Sequence, residues 1–503
     1  MKKVLALILA LSMLAMAGCA GTAKETTPAT ATATAAPAET TAPAAPETTE
    51  AAAETTAPQL TLEEQMDAYW NDQLDSYFKN DAGYPHGSEG MGAVVLAMKD
   101  GEVIFEKAYG HAHYYDADYE AEGSTYANPV YKKTETPREM TVDTLFDLAS
   151  VTKVMATTQS IMILVDQGKL SVEDKAAQYL PGFEKNGKGD ITVAQLLTHS
   201  SGLPQWAPTF LYCDNKAEQL EFIKNLELNP DFKTDGSEPM YSDFSFMTLG
   251  FIVEAITGQD MDEFVKENVY KPLGMDHTTY KPLENGFTAD QIAATSLGNP
   301  YEYRMVDEKN WPDCGYDCSK DEEAFEKFDG WRKQTLIGEV NDGNTGMGGK
   351  GVAGHAGLFS TARDLGVLLQ CMLNGGEYNG VRLYSPETVK LFTTRHTTYQ
   401  ENHTDKNGNP ALSEEFGYGF KLDQSWMGQS ATENVFGHDG FTGTTVFADP
   451  DNNYIFVCLT NKMQAGFRQT TVNGDEKNIN NYYNTNSWVS WNMNQIVKDS
   501  LGI

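Results

Sequence analysis

The stretch DLASVTK at residues 147–153 is the part of the sequence that decides the fold. Ser150 and Lys153 stand three residues apart, at the start of an apolar run, Val151–Val165, that predicts a buried helix. Residues i and i+3 share one face of a helix, so the hydroxyl and the amine can meet. A serine hydroxyl is a weak nucleophile that needs a nearby base, and the N–H groups at a helix start suit a developing oxyanion. Taken alone, Ser-x-x-Lys is a weak signal, since about one match arises by chance in a chain of this length.

Strand patterns lie far before and far after this helix. The predicted elements are a helix over residues 61–78, a hairpin with strands 92–98 and 103–109, strands 444–448 and 454–460, and a closing helix over residues 487–501. The middle of the chain reads as mostly helical, with residues 285–345 as a loop-rich, acidic and aromatic insertion. We therefore predict an α/β (α+β) fold, with one antiparallel sheet built from N- and C-terminal segments, flanked by helices and interrupted by a mostly helical subdomain.

Four further motifs follow the first in a fixed order. They are LLTHSSGLP at residues 196–204, YSD at 241–243, GHAGLFST at 354–361 and GHDGFTG at 437–443. Together with residues 147–153, they resemble the motifs of the serine β-lactamase and penicillin-binding-protein superfamily, in particular its class C branch, which includes DD-peptidases, esterases and D-aminopeptidases. The resemblance covers about residues 61–503, and five matches in the right order are specific.

The resemblance implies a role for each site residue. Ser150 would be the acylated nucleophile, and Lys153 would take or share its proton and lower the pKa of Tyr241. Tyr241 would be the general base for acylation and would help to activate the deacylating water. The backbone N–H groups of Ser150 and Phe441 would form the oxyanion hole, and Gly440 would leave room for the substrate beside its strand. We also expect the GHDG segment to open that strand.

Two aspartates depart from the family's pattern. Asp243 stands where class C members carry Asn, and a carboxylate cannot donate a hydrogen bond to a substrate; it could pair with Lys153 instead. Asp439, which follows His438, replaces a Thr that in many relatives helps to hold a substrate carboxylate. An ionised Asp439 in the pocket would repel that carboxylate, which predicts weak β-lactamase and carboxypeptidase activity and a preference for neutral or cationic substrates. Alternatively, Asp439 points away from the pocket, because strand residues alternate between faces.

The expected function is that of a serine hydrolase acting through a covalent acyl-serine on an ester or amide, without a metal or other cofactor. The alternatives are a D-Ala-D-Ala carboxypeptidase or penicillin-binding protein, a β-lactamase, and a catalytically retired surface protein that binds cell-wall fragments. The expected partner is a small ester or amide, or a peptidoglycan-derived peptide. The sequence leaves the oligomeric state open.

Composition and the N-terminus indicate where the protein acts. The 503 residues include 37 Lys and Arg against 71 Asp and Glu, and the formal net charge of −34 argues against nucleic acid as a partner. Residues 1–18 resemble a bacterial lipoprotein signal, which implies a lipid on Cys19 and a site at the extracytoplasmic face of the cell membrane; ordinary secretion is the alternative. Residues 19–60 form a linker rich in Ala, Thr, Pro and Glu that cannot build a core.

The remaining cysteines do not form a disulfide scaffold. Cys314 and Cys318 could pair in a small loop or remain two thiols, and both alternatives stay open. Cys371 and Cys458 lie in apolar runs and are predicted to be core residues, and Cys213 leaves the total odd. His111 and His113 alternate on a predicted strand, but no third metal ligand stands near them in the sequence.

Overall fold

The N- and C-terminal strands of the chain pair in one antiparallel sheet. The computed structural model describes residues 60–81, 86–229, 239–307, 315–397, 415–429, 431–466, 468–472, 475–482 and 488–503, and residues 62–503 form one compact unit. The strands of the main sheet are β1 Gly92–Lys99, β2 Glu102–Asp118, β3 Val130–Glu139, β4 Lys421–Leu422, β5 Phe436–Asp439, β6 Thr445–Asp449 and β7 Tyr454–Thr460. Their order across the sheet is β4-β5-β6-β7-β1-β2-β3. The predicted antiparallel sheet of distant segments is confirmed.

The central pair of this sheet joins the two halves of the chain. β1 runs beside β7, with Ala93 opposite Thr460 and Lys99 opposite Tyr454. Seven of the eight residues of β1 are buried, because helices cover both faces of the sheet. A strand that is buried on both faces appears in the sequence as a continuous apolar run. The predicted hairpin about Asp100 is also confirmed, although β2 continues well beyond its predicted end.

Helices cover the sheet on both faces. They are α1 at residues 62–81, α2 at 153–166, α3 Val193–Leu197, α4 Lys216–Asn225, α5 Asp243–Thr257, α6 at 261–273, α7 Pro300–Asp307, α8 Glu322–Lys327, α9 Ala362–Leu373, α10 Pro386–Thr393 and α11 Trp488–Leu501. Val95 of β1 belongs to a cluster with residues of α1 and α11, whereas Val94 and Leu96 belong to the larger cluster that holds α2, α5 and α9. The alternation of side chains along β1 thus separates two hydrophobic layers.

Shorter strands position the middle of the chain. One small sheet pairs Leu358–Ser360 with Phe146–Asp147 on one side and Thr279–Tyr280 on the other, and it holds the GHAGLFST motif beside the nucleophile segment. The other small pairs are Ala294–Leu297 with Thr335–Ile337, Glu377–Tyr378 with Val381–Arg382, and Arg468–Val472 with Asp475–Tyr482.

Several predictions from the sequence concern residues that the structure does not describe, whereas others are tested by it. Cys19, the signal at residues 1–18 and nearly all of the linker lie outside the described residues. Cys314 lies outside them as well, so its pairing with the buried Cys318 stays open. Cys371 and Cys458 are fully buried, which confirms them as core residues. The predicted 285–345 insertion contains α7, α8 and two short strands, and that it is an insertion stays a prediction. None of the described helices combines the length and apolarity that a membrane span requires.

Candidate active site

Ser150 lies in a tight helical turn, Ala149–Val151, immediately before α2. The turn is held by the buried carboxylate of Asp147, which accepts hydrogen bonds from the backbone N–H of Ala149 at 2.9 Å and of Asn341 at 2.6 Å. Ala149 has a φ of +46°, a left-handed conformation that costs free energy for a residue with a Cβ. Burial raises the pKa of Asp147 to about 6. The carboxylate thus holds the residue before the nucleophile in a conformation that it would not adopt alone.

Lys153 is fully buried and connects three parts of the site. Its Nζ donates hydrogen bonds to Ser150 Oγ at 3.0 Å, to Asp243 Oδ1 at 2.7 Å and to the carbonyl oxygen of His355 at 3.3 Å. Burial lowers the pKa of the Lys153 ammonium, and the Asp243 carboxylate opposes that shift. The structure therefore brings together the hydroxyl and the amine of the Ser-x-x-Lys motif, and the pairing of Asp243 with Lys153 is present.

Tyr241 precedes α5, and its position follows from the way that helix begins. Ser242 is the N-cap of α5: its hydroxyl accepts from Ser245 N at 3.3 Å and donates to Pro204 O at 2.7 Å. Asp243 is the first helical residue, where a negative charge interacts favourably with the helix dipole. The YSD motif therefore supplies an aromatic residue, a cap and a charged first turn in three consecutive positions.

Charged and aromatic groups surround the Tyr241 ring on several sides. The Nζ atoms of Lys153 and Lys421 lie 4.8 Å and 5.4 Å from its centroid. The His199 ring stacks on it at 4.3 Å, and the His438 ring lies at 6.0 Å. Burial holds the pKa of His199 well below its usual range, and His199 Nδ1 accepts from the backbone N–H of Ser242. Neutral His199 thus braces the YSD segment.

The GHDG motif ends a strand and does not open one, contrary to the sequence expectation. β5 stops at Asp439, and residues 440–444 form a turn that leads into β6. In this turn Gly440 N donates to Thr444 O at 2.7 Å and Gly443 N donates to Gly440 O at 2.9 Å. A positive φ of 98° at Gly443 lets the chain reverse there.

This turn is hydrogen-bonded to the nucleophile segment. Thr442 Oγ1 donates to the carbonyl oxygen of Asp147 at 2.7 Å, and Thr444 Oγ1 donates to that of Leu148 at 2.9 Å. A Cβ on Gly440 would lie 2.5 Å from Leu148 O and closer still to Thr444 Oγ1. The close packing of these two segments is by itself a reason that this position needs glycine, and the room for a substrate stays a prediction. Phe441 follows, with its ring 5.0 Å from that of Tyr301 in α7.

We expect the Gly440→Ala variant to lose about 1–3 kcal/mol of stability, because an added methyl group must displace backbone and a buried hydroxyl. Activity should fall as well, since the displaced turn carries Phe441. Thermal unfolding and hydrolysis of a generic ester measure the two effects. Gly189→Ala is the matched control, because a Cβ there makes only an ordinary contact with Glu184; equal behaviour of the two variants would contradict the packing argument.

His438 and Asp439 are neighbours in the chain, but His438 is neutral and Asp439 is ionised. Burial, with Lys421 nearby, lowers the pKa of His438 to about 3, so its imidazole is neutral, and Nδ1 lies 2.7 Å from the carbonyl oxygen of Asp439. Asp439 Oδ1 accepts from Lys421 Nζ at 2.9 Å. Burial alone would raise the pKa of Asp439, but Lys421, His438 and Lys462 together outweigh it and lower that pKa to about 2. Asp439 is therefore an ionised carboxylate paired with a cation.

Sequence reasoning missed two residues of the site. Lys421 lies in β4, a strand of two residues that no periodicity reveals, and it reaches Asp439 only because β4 pairs with β5. Asp342 accepts from His355 Nε2 at 2.9 Å. Burial alone would raise the pKa of Asp342, but His355 and the hydrogen bonds from Thr345 together lower it to about 2. The His355 carbonyl in turn accepts from Lys153. No short motif marks either residue.

We expect Asp243→Asn to move the acidic limb of the kcat/KM profile to lower pH. The Asp243 carboxylate offsets the positive charge of Lys153, so an uncharged amide leaves more of that charge to favour the anionic form of Tyr241, the base that the family resemblance implies. A pH–rate profile of the purified variant on a neutral ester measures the shift. If the acidic limb stayed at the same pH or moved to higher pH, the Asp243 carboxylate would not offset the charge of Lys153.

No metal site is evident around these residues. The described part of the chain contains no cluster of three or more His, Cys, Asp or Glu side chains suited to a metal ion. His113 Nε2 lies 2.9 Å from Asp116 and His111 Nε2 lies 3.4 Å from Glu139, so each histidine faces one carboxylate.

Comparison with known proteins gives a consistent family. The family described as Beta-lactamase matches residues 81–476. A protein of Escherichia coli K12 named putative D-alanyl-D-alanine carboxypeptidase is 36% identical over 419 residues, which cover 79% of this chain and 82% of the relative. A protein of Bacillus subtilis named N-acetylmuramyl-L-alanine amidase is 35% identical over 427 residues, covering 81% and 83%.

Solved structures share the fold at low sequence identity. A penicillin-binding protein homolog from Caulobacter crescentus is 19% identical with a TM-score of 0.55, and the match covers 87% of this chain and 96% of that one. A family VIII carboxylesterase is 19% identical with a TM-score of 0.52, covering 86% and 95%. From its matched sequence and its fold, the chain belongs to the β-lactamase family, within the serine β-lactamase and penicillin-binding-protein superfamily, and it is a serine hydrolase.

Proposed function

We propose that the protein is a D-Ala-D-Ala carboxypeptidase that acts on peptidoglycan-derived peptides through an acyl-Ser150 intermediate. The main observation in support of this chemistry is that Lys153 Nζ contacts both Ser150 Oγ and Asp243 and lies beside the Tyr241 ring. The names of the relatives support the substrate: both describe enzymes that cleave amide bonds of cell-wall peptides.

The proposed reaction has two steps. Ser150 Oγ attacks the carbonyl carbon of the penultimate D-Ala, while Tyr241, as the phenolate beside the Lys153 ammonium, takes the hydroxyl proton and passes it to the leaving nitrogen, so that the C–N bond breaks and D-Ala departs. A water molecule then attacks the acyl ester, Tyr241 accepts its proton, and the proton returns to Ser150 Oγ as the ester bond breaks. The N–H groups of Ser150 and Phe441 stabilise the oxyanion in both steps.

The pairing of Asp439 changes the substrate expectation. An unpaired aspartate would repel the C-terminal carboxylate of a D-Ala-D-Ala peptide, which is why the sequence suggested neutral substrates. With Lys421 Nζ 2.9 Å from Asp439 Oδ1, this end of the site holds an ion pair and no excess negative charge. The reason to disfavour a carboxylate-bearing substrate is thereby removed, and the carboxypeptidase becomes the preferred proposal.

The test is the release of D-Ala from diacetyl-L-Lys-D-Ala-D-Ala by the purified protein, with the D-Ala-L-Ala epimer as the control peptide. The proposal expects release from the first peptide and far less from the second. Hydrolysis of p-nitrophenyl acetate without any D-Ala release would reject the carboxypeptidase and favour an esterase.

A second candidate is an N-acetylmuramyl-L-alanine amidase, which the name of the Bacillus subtilis relative favours. Mass spectrometry of a muramyl pentapeptide after digestion separates the two activities. A carboxypeptidase removes one terminal alanine, whereas an amidase separates the muramic acid from the intact peptide.

We further propose that a lipid on Cys19 anchors the protein at the extracytoplasmic face of the membrane. The apolar run before Cys19 and the small residues next to it support this location. Labelling with an alkyne fatty acid should depend on Cys19, and Cys19→Ala should not be processed to an anchored form. Equal labelling of both proteins would reject the anchor.

A further inference from the structure

Lys421 reaches Tyr241 from a strand that carries none of the family motifs. In the register of β4 and β5, Lys421 lies opposite Gly437, so Asp439 is its diagonal neighbour two residues further on. Diagonal neighbours lie about 7–8 Å apart, within reach of a long side chain. The Lys421 ammonium closes that distance to 2.9 Å from Asp439 Oδ1 and lies 5.4 Å from the Tyr241 centroid.

Lys421 provides a positive charge near Tyr241. A second buried lysine, Lys462, acts electrostatically on Asp439, and burial lowers its pKa to about 7. The neighbouring motif residue, His438, is buried and neutral at ordinary pH, as is His199, which stacks on the ring. The ammonium of Lys153 also lies near the ring, 4.8 Å from its centroid. The carboxylates near the ring, Asp243 and Asp439, are each ion-paired with one of these lysines.

We propose that Lys421 is a positioning residue for Tyr241: its ammonium, oriented by Asp439, favours the phenolate form of Tyr241 and so prepares it to accept a proton. The proposal rests on Tyr241 being the base of the proposed function. It also assigns Asp439 a role, since the carboxylate fixes the ammonium beside the ring. A cation within about 4–6 Å of an acidic group favours its charged form.

The test observes the tyrosine directly, without a substrate. The full chain is labelled with ¹³C at tyrosine Cζ, and the Tyr241 signal is identified by its loss in Tyr241→Phe. In Lys421→Met and Lys421→Gln, the midpoint of the Tyr241 titration should rise by about one pH unit or more. Lys421→Arg should keep the wild-type midpoint, and so should Lys132→Met, which removes an exposed lysine of β3. Unchanged midpoints in both Met and Gln variants would overturn the proposal.

A double variant separates the ammonium from the carboxylate that its removal leaves unpaired. Lys421→Met combined with Asp439→Asn removes the ion pair as a unit, and the midpoint should remain above that of the wild type. A return to the wild-type midpoint would mean that the unpaired Asp439 alone caused the shift, and the proposal would fail.

Kinetics on p-nitrophenyl acetate then relate the titration to catalysis. Lys421→Met should shift the acidic limb of kcat/KM to higher pH, by the same amount as the NMR midpoint. If the Tyr241 midpoint shifts but the wild type leaves D-Ala-D-Ala peptides intact, the proposed substrate is rejected and the role of Lys421 is retained. If the Tyr241 midpoint shifts but the acidic limb of kcat/KM does not, the proposal that Lys421 prepares Tyr241 to act as the base is overturned.

Discussion

Ser150→Ala is expected to lower kcat/KM by roughly 10³- to 10⁶-fold, the range seen when a catalytic serine is removed from a serine hydrolase. Ser150 Oγ accepts from the Lys153 ammonium at 3.0 Å and supplies the oxygen that forms the acyl bond. Without that oxygen, neither a fluorophosphonate nor a penicillin probe can attach covalently. Stability should change little, because the residue lies at a partly exposed turn.

Intact-mass spectrometry after incubation with each probe measures this effect, together with the rate of ester hydrolysis. The matched control is Ser160→Ala in α2: this buried hydroxyl donates only to the carbonyl oxygen of Ala156, one helical turn earlier, among the contacts described. Ser160→Ala should be labelled like the wild type. Labelling that persists in Ser150→Ala would place the nucleophile elsewhere, and labelling by the fluorophosphonate alone would favour an esterase.

Lys153→Met is expected to lower kcat/KM by about 10³-fold while the protein still folds. Methionine fills a similar volume but can neither donate to Ser150 Oγ nor pair with Asp243, and it brings no positive charge to the Tyr241 ring. The change in stability should be small, because the variant removes the cost of burying an ammonium, and the Asp243 side chain keeps 20% of its surface exposed to water.

A second buried lysine provides the control. Lys188 is also fully buried and donates to the carbonyl oxygen of Leu226, but it touches none of the site residues described. Burial lowers its pKa to about 8. Lys188→Met should change thermal stability and leave kcat/KM near that of the wild type. If Lys153→Met retained a tenth of the activity, or if both variants lost activity equally, Lys153 would not be part of the proton transfer.

Local patterns predicted most of the sheet and the Ser-x-x-Lys contact. Apolar runs and turn residues identified β1, β2, β6 and β7. β1, β6 and β7 are buried and therefore appear in the sequence as continuous apolar runs, and the turn at Asp100 marks where β2 begins. The helical spacing placed Ser150 and Lys153 on one face, and the structure has them 3.0 Å apart. These features depend on neighbours in the sequence, and so they can be read from it.

The two-residue strand β4, the end of β5 at Asp439 and the reason for glycine at position 440 could not be read in this way. Each depends on a contact between distant segments: Lys421 with Asp439, and Thr444 with Leu148. The sequence also suggested that Asp439 would carry an uncompensated charge. Its lysine partner is supplied by strand pairing, which a short motif does not record.

The sequence by itself determined the family, the serine nucleophile segment and the sheet made from both ends of the chain, because motifs and hydrophobic periodicity are local properties. Only the tertiary structure decided the charge of the site. The ammonium groups of Lys153 and Lys421, both close to the Tyr241 ring, are each paired with a carboxylate, 2.7 Å and 2.9 Å away. Electrostatic energy falls with distance and rises with burial, so it depends on which side chains meet after folding and not on how many of each sign the sequence contains.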